Sequence, residues 1–127
     1  MTEARTQLDV LIVDDNPAIR TSFASILRSA GHRVEGVPNG QAALERLRQI
    51  ECTVLMADVE MPGMSGLELL SLLPENKPLV ILVTAAELAP ELVHSPSRVF
   101  GTLRKPVPPP HLRSLVAEAI DSAWRWP

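Results

Sequence analysis

Four apolar runs in the chain end in polar residues whose side chains suit phosphoryl chemistry. These residues are Asp14 and Asp15, Asp58, Thr84 and Lys105. Carboxylates that converge in a crevice repel one another, so a cation is needed to keep them ionised and close together. Because the candidate ligands are oxygens, with no Cys or His among them, the set suggests magnesium.

Asp58 is the candidate nucleophile of this set. A carboxylate beside a metal, an ammonium and a hydroxyl is suited to attack on a phosphoryl group. Magnesium and Lys105 would neutralise the equatorial oxygens, and Thr84 would donate a hydrogen bond to one of them. The product would be an acyl phosphate on Asp58. Each residue alone is more often cap, turn or surface chemistry, so the prediction depends on their joint occurrence.

Alternating strands and helices are predicted to position these residues. Apolar runs predict strands over residues 8–13, 33–37, 53–58, 79–83 and 99–103. Apolar stripes at helical spacing predict helices from Pro17 to Ala30, from Ala42 to Ile50, over 66–73 and from Leu112 to Ala123. Segment 85–98 is interrupted by Pro90 and Pro96, so its helix, the fourth of five, is predicted to be short or irregular.

Strands that alternate with helices pair in parallel through right-handed crossovers, which predicts an α/β, doubly wound (βα)5 fold with helices on both faces. With strand order 2-1-3-4-5, the strand that ends at Asp14 neighbours the strand that ends at Asp58. The order reverses between them, so a crevice opens there. Residues 1–7 are predicted to be a flexible tail, 8–124 the single domain, and 125–127 a C-terminal end.

Composition argues against several other classes of function. A net charge of −3 without a clustered basic face argues against direct nucleic acid binding. Neither glycine fingerprint of nucleotide-binding loops is present. With no signal peptide or membrane-spanning apolar run, we expect a cytoplasmic protein. The single Cys52 excludes an internal disulfide.

Nearly the whole chain resembles the receiver domain of bacterial two-component response regulators. The residues that carry the resemblance are Asp14-Asp15, Asp58 followed by Met61-Pro62 and Gly66, Thr84, and Lys105-Pro106. It implies a flavodoxin-like fold and an aspartyl-phosphate switch, which is not an enzyme beyond its own phosphotransfer and dephosphorylation.

The resemblance also implies roles for the acidic residues. Asp58 would be the phospho-acceptor. Asp15 and Asp58 would bind Mg²⁺ directly, Asp14 would hold it mainly through water, and the backbone carbonyl of Glu60 would supply a further oxygen. The side chain of Glu60 adds a charge near this site.

By the same resemblance, Thr84 is the switch hydroxyl that moves toward the phosphoryl group, and Lys105 pairs with that group. The Lys105–Pro106 peptide bond is expected to be cis. The family usually places an aromatic residue three positions before the lysine, where this chain has Thr102. Phe100 lies two residues away and, by strand parity, on the same face as Thr102.

The partners that the resemblance implies are a sensor histidine kinase or a histidine phosphotransfer protein, and a downstream effector protein. The phosphodonor would dock near Asn16, Pro17, Arg20 and Thr21, together with Val107 and Pro108. No membrane partner is expected, and the protein would be a monomer or weak dimer, either complete or part of a longer regulator.

Two alternative functions remain open at this point. One is a phosphatase-like hydrolase that uses Asp58 as nucleophile and Glu60, two residues later, as acid/base. The other is a degenerate receiver that acts only by protein contact. The acidic pair after the first strand favours the receiver over the hydrolase, and the presence of all five key residues argues against degeneracy.

Overall fold

A parallel sheet forms the centre of the fold in the computed structural model, which describes residues 6–74, 77–86 and 99–125, apart from the side chain of Arg125. Its strands are β1 (Thr6–Val13), β2 (Val34–Val37), β3 (Ile50–Asp58), β4 (Leu79–Thr84) and β5 (Val99–Arg104). The described helices are α1 (Pro17–Ser29), α2 (Gly40–Leu47), α3 (Gly66–Ser71) and α4 (Pro109–Arg125). The helix predicted within 85–98 falls on residues 87–98, outside the described part of the chain.

The strand order is β2-β1-β3-β4-β5 with every pairing parallel, which confirms the predicted flavodoxin-like topology. In register, Val13 lies beside both Val37 and Ala57, and Asp58 lies beside Val83. The carboxyl ends of β1, β3 and β4 therefore meet at one edge of the sheet. None of the helices in the described ranges is long and apolar enough to span a membrane.

Alternation along the strands builds one apolar core on each face of the sheet. On one face, Leu11, Leu55 and Leu82 pack with Leu69 of α3. On the other face, Ile12, Met56 and Ile81 pack with Leu27 of α1 and Leu112 of α4. All of these side chains, on both faces, are fully buried. Since burying each such side chain contributes about 1.5–3 kcal/mol, the two cores hold the sheet edge in a fixed geometry.

Side-chain caps fix where the first helices begin. Asn16 accepts hydrogen bonds from the backbone N–H groups of Ala18 and Ile19, and Pro17 occupies the first position of α1. Asn39 caps α2 in the same way. Both starts follow from residue type, because the Asn side chain accepts hydrogen bonds from N–H groups that a helix start leaves unpaired. In α1, Pro17 also lacks an N–H group at a position where none could be paired within the helix. The helix α1 consequently starts three residues after Asp14.

Several predicted boundaries were wrong near the amino-terminal edge of the sheet. Thr6 and Gln7, assigned to the tail, belong to β1 and pair with Ile50 and Glu51. Ile50, predicted as the last apolar residue of α2, is the first residue of β3 and is 2% exposed. A single apolar residue fits either a helical or a strand period, so its pairing with β1 decided its structure.

Proline placement moved the start of the last helix. Its first turn contains Pro109 and Pro110, whereas the apolar stripe indicated a start at Leu112. The backbone N–H groups of His111 and Leu112 both donate to the carbonyl of Pro108, at 3.0 and 3.1 Å. Proline is tolerated there because the first turn needs no N–H donors.

A β-bulge in β5 overturns the prediction that Phe100 shares a face with Thr102. Val99 pairs with Val80, but Gly101 pairs with Ile81, so Phe100 is an extra residue. It packs into the core beside α1 and α4. Thr102 pairs with Leu82 of the opposite core and is exposed. The extra residue shifts the alternation of the strand by one position.

At the amino-terminal edge of the sheet, a cavity of about 370 Å³ opens between the strand starts and the end of α4. Its lining includes Gln7, Ile50, Cys52, Pro78 and Trp124. Trp124 is 73% exposed at its mouth. The cavity therefore lies at the opposite edge of the sheet from Asp58.

Candidate functional site

The buried polar side chains of the described residues are Asp14, Asp58 and Thr84, and all three belong to one edge of the sheet. Asp14 follows β1 directly, Asp58 ends β3 and Thr84 ends β4. Polar groups are rarely buried without partners, since their desolvation is costly. Their presence together marks this edge as the candidate site that the sequence predicted.

Three carboxylates are brought together as predicted. Asp14, Asp15 and Asp58 each offer an oxygen within 4.8 Å of the others. Asp15 is exposed, so the cluster is open to solvent on one side. Oxygen donors in this number fit a hard divalent cation such as Mg²⁺. The donor set therefore suits the predicted metal.

The charge of Asp58 is poorly solvated. Burial raises the pKa of its carboxyl above the ordinary value, and the negative charge of Asp14 raises this pKa further. The backbone N–H of Glu60, which donates to Oδ1 of Asp58 at 3.1 Å, and the ammonium of Lys105 act in the opposite direction. A cation at the cluster would relieve the remaining repulsion.

Lys105 bridges two of the carboxylates. Its Nζ lies 3.1 Å from Oδ2 of Asp14 and 3.2 Å from Oδ2 of Asp58. Burial opposes the charge of the ammonium, but the hydrogen bond and charge of Asp14, followed by those of Asp58, raise the pKa of Lys105 overall. The Lys105–Pro106 peptide bond is cis, as expected. The backbone N–H of Lys105 donates to the carbonyl of Thr84 at 2.8 Å, which fixes the position of Lys105 relative to β4.

The side chain of Glu60 makes a contact that sequence reasoning missed. The hydroxyl of Thr84 donates to Oε1 of Glu60 at 2.5 Å. The backbone N–H of Ala85 approaches Oε2 of Glu60 at 3.3 Å. The hydroxyl of Thr84 is also the principal cause that lowers the pKa of Glu60. The sequence shows that Glu60 is acidic and lies two residues after Asp58. These two facts do not identify Thr84 as the partner of its side chain.

Gly66 allows the loop after β3 to fold back onto Asp58. A Cβ at Gly66 would lie 2.5 Å from the backbone oxygen of Asp58, well inside contact distance. The N–H of Gly66 donates to the carbonyl of Val59 at 3.2 Å, and Ser65 caps α3 by accepting from the N–H of Glu68. The glycine is therefore required by close backbone approach.

Two residues of the predicted docking surface, Asn16 and Arg20, contact Asp14. The guanidinium of Arg20 donates to the backbone oxygen of Asp14 at 2.7 Å. Asn16 caps α1, and its N–H donates to Oδ1 of Asp14 at 2.9 Å. Pro17, Thr21 and Pro108 are exposed.

Comparison with known proteins agrees with this geometry. The family model for the response regulator receiver domain matches residues 10–117. The chain belongs to this family. As a receiver domain, it has a phospho-accepting role in signal transduction, and receiver domains act with histidine kinases and effectors.

Curated relatives of this receiver domain are longer proteins. It is 30% identical over 119 residues to an uncharacterized response regulatory protein of Vibrio vulnificus, with 91% of this chain and 49% of that protein covered. It is 36% identical over 108 residues to a response regulator receiver protein of Anaeromyxobacter sp., with 83% and 45% covered. The chain thus spans about half the length of these relatives.

A solved structure matches the receiver domain along almost its full length. The chemotaxis response regulator CheY4 of Vibrio cholerae superposes with a TM-score of 0.79 at 28% identity. The match covers 90% of this chain and 99% of CheY4.

Proposed function

We propose that Asp58 accepts a phosphoryl group from a phosphohistidine of a sensor kinase or phosphotransfer protein in a Mg²⁺-dependent reaction. The observation that carries the proposal is the buried carboxylate of Asp58, held against the ammonium of Lys105 with Asp14 and Asp15 beside it. Lys105 compensates the charge of this cluster only in part, so the cluster is suited to bind a cation and a phosphoryl group.

In the proposed reaction, a carboxylate oxygen of Asp58 forms the new bond to phosphorus as the bond from phosphorus to the histidine nitrogen breaks. The displaced histidine keeps the electron pair of the broken bond, and Asp58 becomes an acyl phosphate. Lys105 stabilises the charge on the phosphoryl oxygens, since its Nζ already lies 3.2 Å from Oδ2 of Asp58. The hydroxyl of Thr84 then becomes a donor to the phosphoryl group.

The residues assigned to Mg²⁺ are Asp14, Asp15, Asp58 and the backbone carbonyl of Glu60. Three of them place carboxylate oxygens within 4.8 Å of one another, which supports the assignment. When bound, the ion supplies positive charge that offsets the phosphoryl oxygens. The chain's own part is to hold the carboxylates ionised and oriented, through Lys105 and the backbone N–H of Glu60.

The test is incubation with acetyl phosphate, with and without Mg²⁺, followed by intact mass spectrometry. We expect a single phosphoryl adduct that requires Mg²⁺ and is absent in Asp58→Asn. Glu68→Gln, which removes an exposed charge from α3, serves as the control and should be modified like the wild type. An adduct that persists in Asp58→Asn would contradict the assignment of the acceptor.

For the whole protein, we propose a signalling switch that receives phosphoryl groups from a histidine-phosphorylated partner and changes a surface read by an effector protein. We assign the domain to residues from the start of β1 to the end of α4. The proposed contacts for the phosphodonor are three exposed residues: Pro17 and Thr21, which follow Asp15 in the chain, and Pro108, which follows Lys105.

The hydrolase alternative is disfavoured by the state of Glu60. An acid/base must exchange protons near the working pH. Here hydrogen bonds from Thr84 and Ala85 lower the pKa of Glu60 and hold its carboxylate. Steady release of phosphate from p-nitrophenyl phosphate, lost in Glu60→Gln, would restore this alternative.

A further inference from the structure

We propose that Glu60 is a positioning residue that holds the hydroxyl of Thr84 in the unphosphorylated state, so that phosphorylation must take this hydroxyl away from Glu60. The inference rests on the proposed function, in which Asp58 carries the phosphoryl group. The proposed metal site uses only the backbone carbonyl of Glu60. The inference assigns a role to the side chain of this residue.

The geometry joins the acceptor and the switch through one residue. The backbone N–H of Glu60 donates to Oδ1 of Asp58 at 3.1 Å, while its side chain accepts from the hydroxyl of Thr84 at 2.5 Å. The other oxygen of the carboxylate is 3.3 Å from the N–H of Ala85. Glu60 therefore links the loop after β3 to the loop after β4.

The two acceptors of Thr84 are mutually exclusive. A threonine hydroxyl has one proton and donates it to one acceptor at a time. A phosphoryl oxygen on Asp58 and the carboxylate of Glu60 therefore compete for that proton. Donation to the phosphoryl group breaks the bond to Glu60, and the anchor of Ala85 is weakened with it.

Among the residues that the structure describes, β5 offers no aromatic side chain that could replace Glu60 in positioning the side chain of Thr84. The position three residues before Lys105 holds Thr102, which is exposed and has no aromatic ring. Phe100 lies on the opposite face because of the β-bulge. The hydrogen-bond partners described for the Thr84 side chain are Glu60 and the N–H of Ala86, which donates to it at 3.0 Å.

The test measures binding of beryllofluoride, a phosphoryl mimic, at saturating Mg²⁺ in a double-mutant cycle of Glu60→Ala and Thr84→Val. Glu60→Ala should tighten binding about threefold to tenfold, the range for a net hydrogen bond. In the Thr84→Val background, the same change should alter affinity by less than about twofold. Glu60→Gln, which keeps an acceptor oxygen, should fall between wild type and Glu60→Ala.

Glu118→Ala is the matched control, because it removes the same charge from an exposed position on α4. An equal gain from Glu60→Ala in the wild-type and Thr84→Val backgrounds would show simple charge repulsion and overturn the proposal, as would no gain at all.

A second readout separates this proposal from the proposed function. In the unliganded protein, the methyl resonance of Thr84 should shift in Glu60→Ala and stay in place in Glu118→Ala. If wild type fails to bind beryllofluoride, the proposed function fails, while a shifted methyl resonance would still support the hold on Thr84. An unmoved resonance overturns the hold whatever the beryllofluoride result.

Discussion

At the scale of single residues, this site places ionised groups where solvation is poor. Asp58 is 3% exposed, and its charge is compensated by Lys105 and one backbone N–H. The raised pKa of Asp58 shows that burial and the charge of Asp14 outweigh these partners. The arrangement of charges that suits this site to bind a ligand therefore lowers the stability of the unliganded protein.

Replacing Asp58 by Asn should therefore stabilise the protein at pH 7 without Mg²⁺. We expect a gain on the order of 1 kcal/mol, or roughly 2–6 °C in the melting temperature. Because the folded pKa of Asp58 is raised, the wild type keeps its full stability below the pKa of the unfolded carboxyl and loses some as the pH rises through the folded pKa. The gain of Asp58→Asn should accordingly shrink in acid.

The measurement is urea unfolding from pH 3 to pH 7, with Glu45→Gln on the exposed side of α2 as control. A less stable Asp58→Asn at pH 7 would mean that the attraction of Lys105 outweighs burial. Added Mg²⁺ should raise the stability of wild type more than that of Asp58→Asn, because the variant lacks one proposed ligand.

Cys52 is a buried thiol whose surroundings favour its protonated form. Burial raises the pKa of its thiol to about 12, and its Sγ donates to the carbonyl of Val54 at 3.0 Å. At pH 8 we expect Ellman's reagent to react with it only at the rate of unfolding, since the thiolate is the reactive form. Urea-unfolded protein provides the control. Rapid labelling of native protein would contradict the buried placement.

At the scale of elements, the sequence predicted the parts of the fold that depend on long apolar runs. Val10–Val13 and Val80–Val83 are buried on both faces, and the polar residues that follow them identified the site edge. The predictions were wrong where pairing with a neighbouring strand decides the structure. Ile50 joined a strand because β1 extends to pair with it, and the bulge at Phe100 arises from pairing with β4.

The candidate site divides in the same way. Side chains at strand ends, such as Asp58 and Lys105, were predictable because parallel strands bring their ends together. The contacts of Arg20 with Asp14 and of Glu60 with Thr84 were missed. These contacts depend on how side chains from loops and helix starts are directed, and the spacing of residues carries no information on that.

The start of α3 offers a test of how an element positions the acceptor. Gly66→Ala should destabilise the protein by about 1–3 kcal/mol, because the new methyl group overlaps the backbone oxygen of Asp58. It should also slow phosphorylation by acetyl phosphate, measured by intact mass, since Asp58 must shift.

Ser65→Ala is the matched control for Gly66→Ala. It removes the cap of α3 and should cost about 1 kcal/mol, with little effect on the phosphorylation rate. If both variants phosphorylate at the same rate, the close approach of Gly66 does not govern the position of Asp58.

At the scale of the whole molecule, the first turns of α1 contain both a proposed docking contact and a residue that contacts the acidic site. Thr21 is exposed, whereas Arg20, its neighbour in the chain, is bonded to the backbone of Asp14. Thr21→Glu should reduce transfer from a phosphorylated histidine kinase about tenfold or more while phosphorylation by acetyl phosphate is unchanged. Radiolabel transfer and intact mass measure the two rates.

Arg20→Ala should reduce both rates, because it releases the backbone of Asp14. Gln41→Glu on α2 adds the same charge as Thr21→Glu at another exposed position and should leave both rates unchanged. Equal losses from both donors in Thr21→Glu would contradict a docking role for this face.

The placement of Trp124 determines how the switch can be observed. It lies at the mouth of the cavity at the amino-terminal edge of the sheet, and a strand of nine residues such as β3 separates that edge from Asp58 by about 25 Å. Indole emission from Trp124 is therefore too distant to be quenched by direct contact with a ligand at the acidic cluster. An extrinsic dye on a cysteine introduced at Ala86, next to the loop that Glu60 anchors, would make the phosphorylation event visible in a fluorimeter.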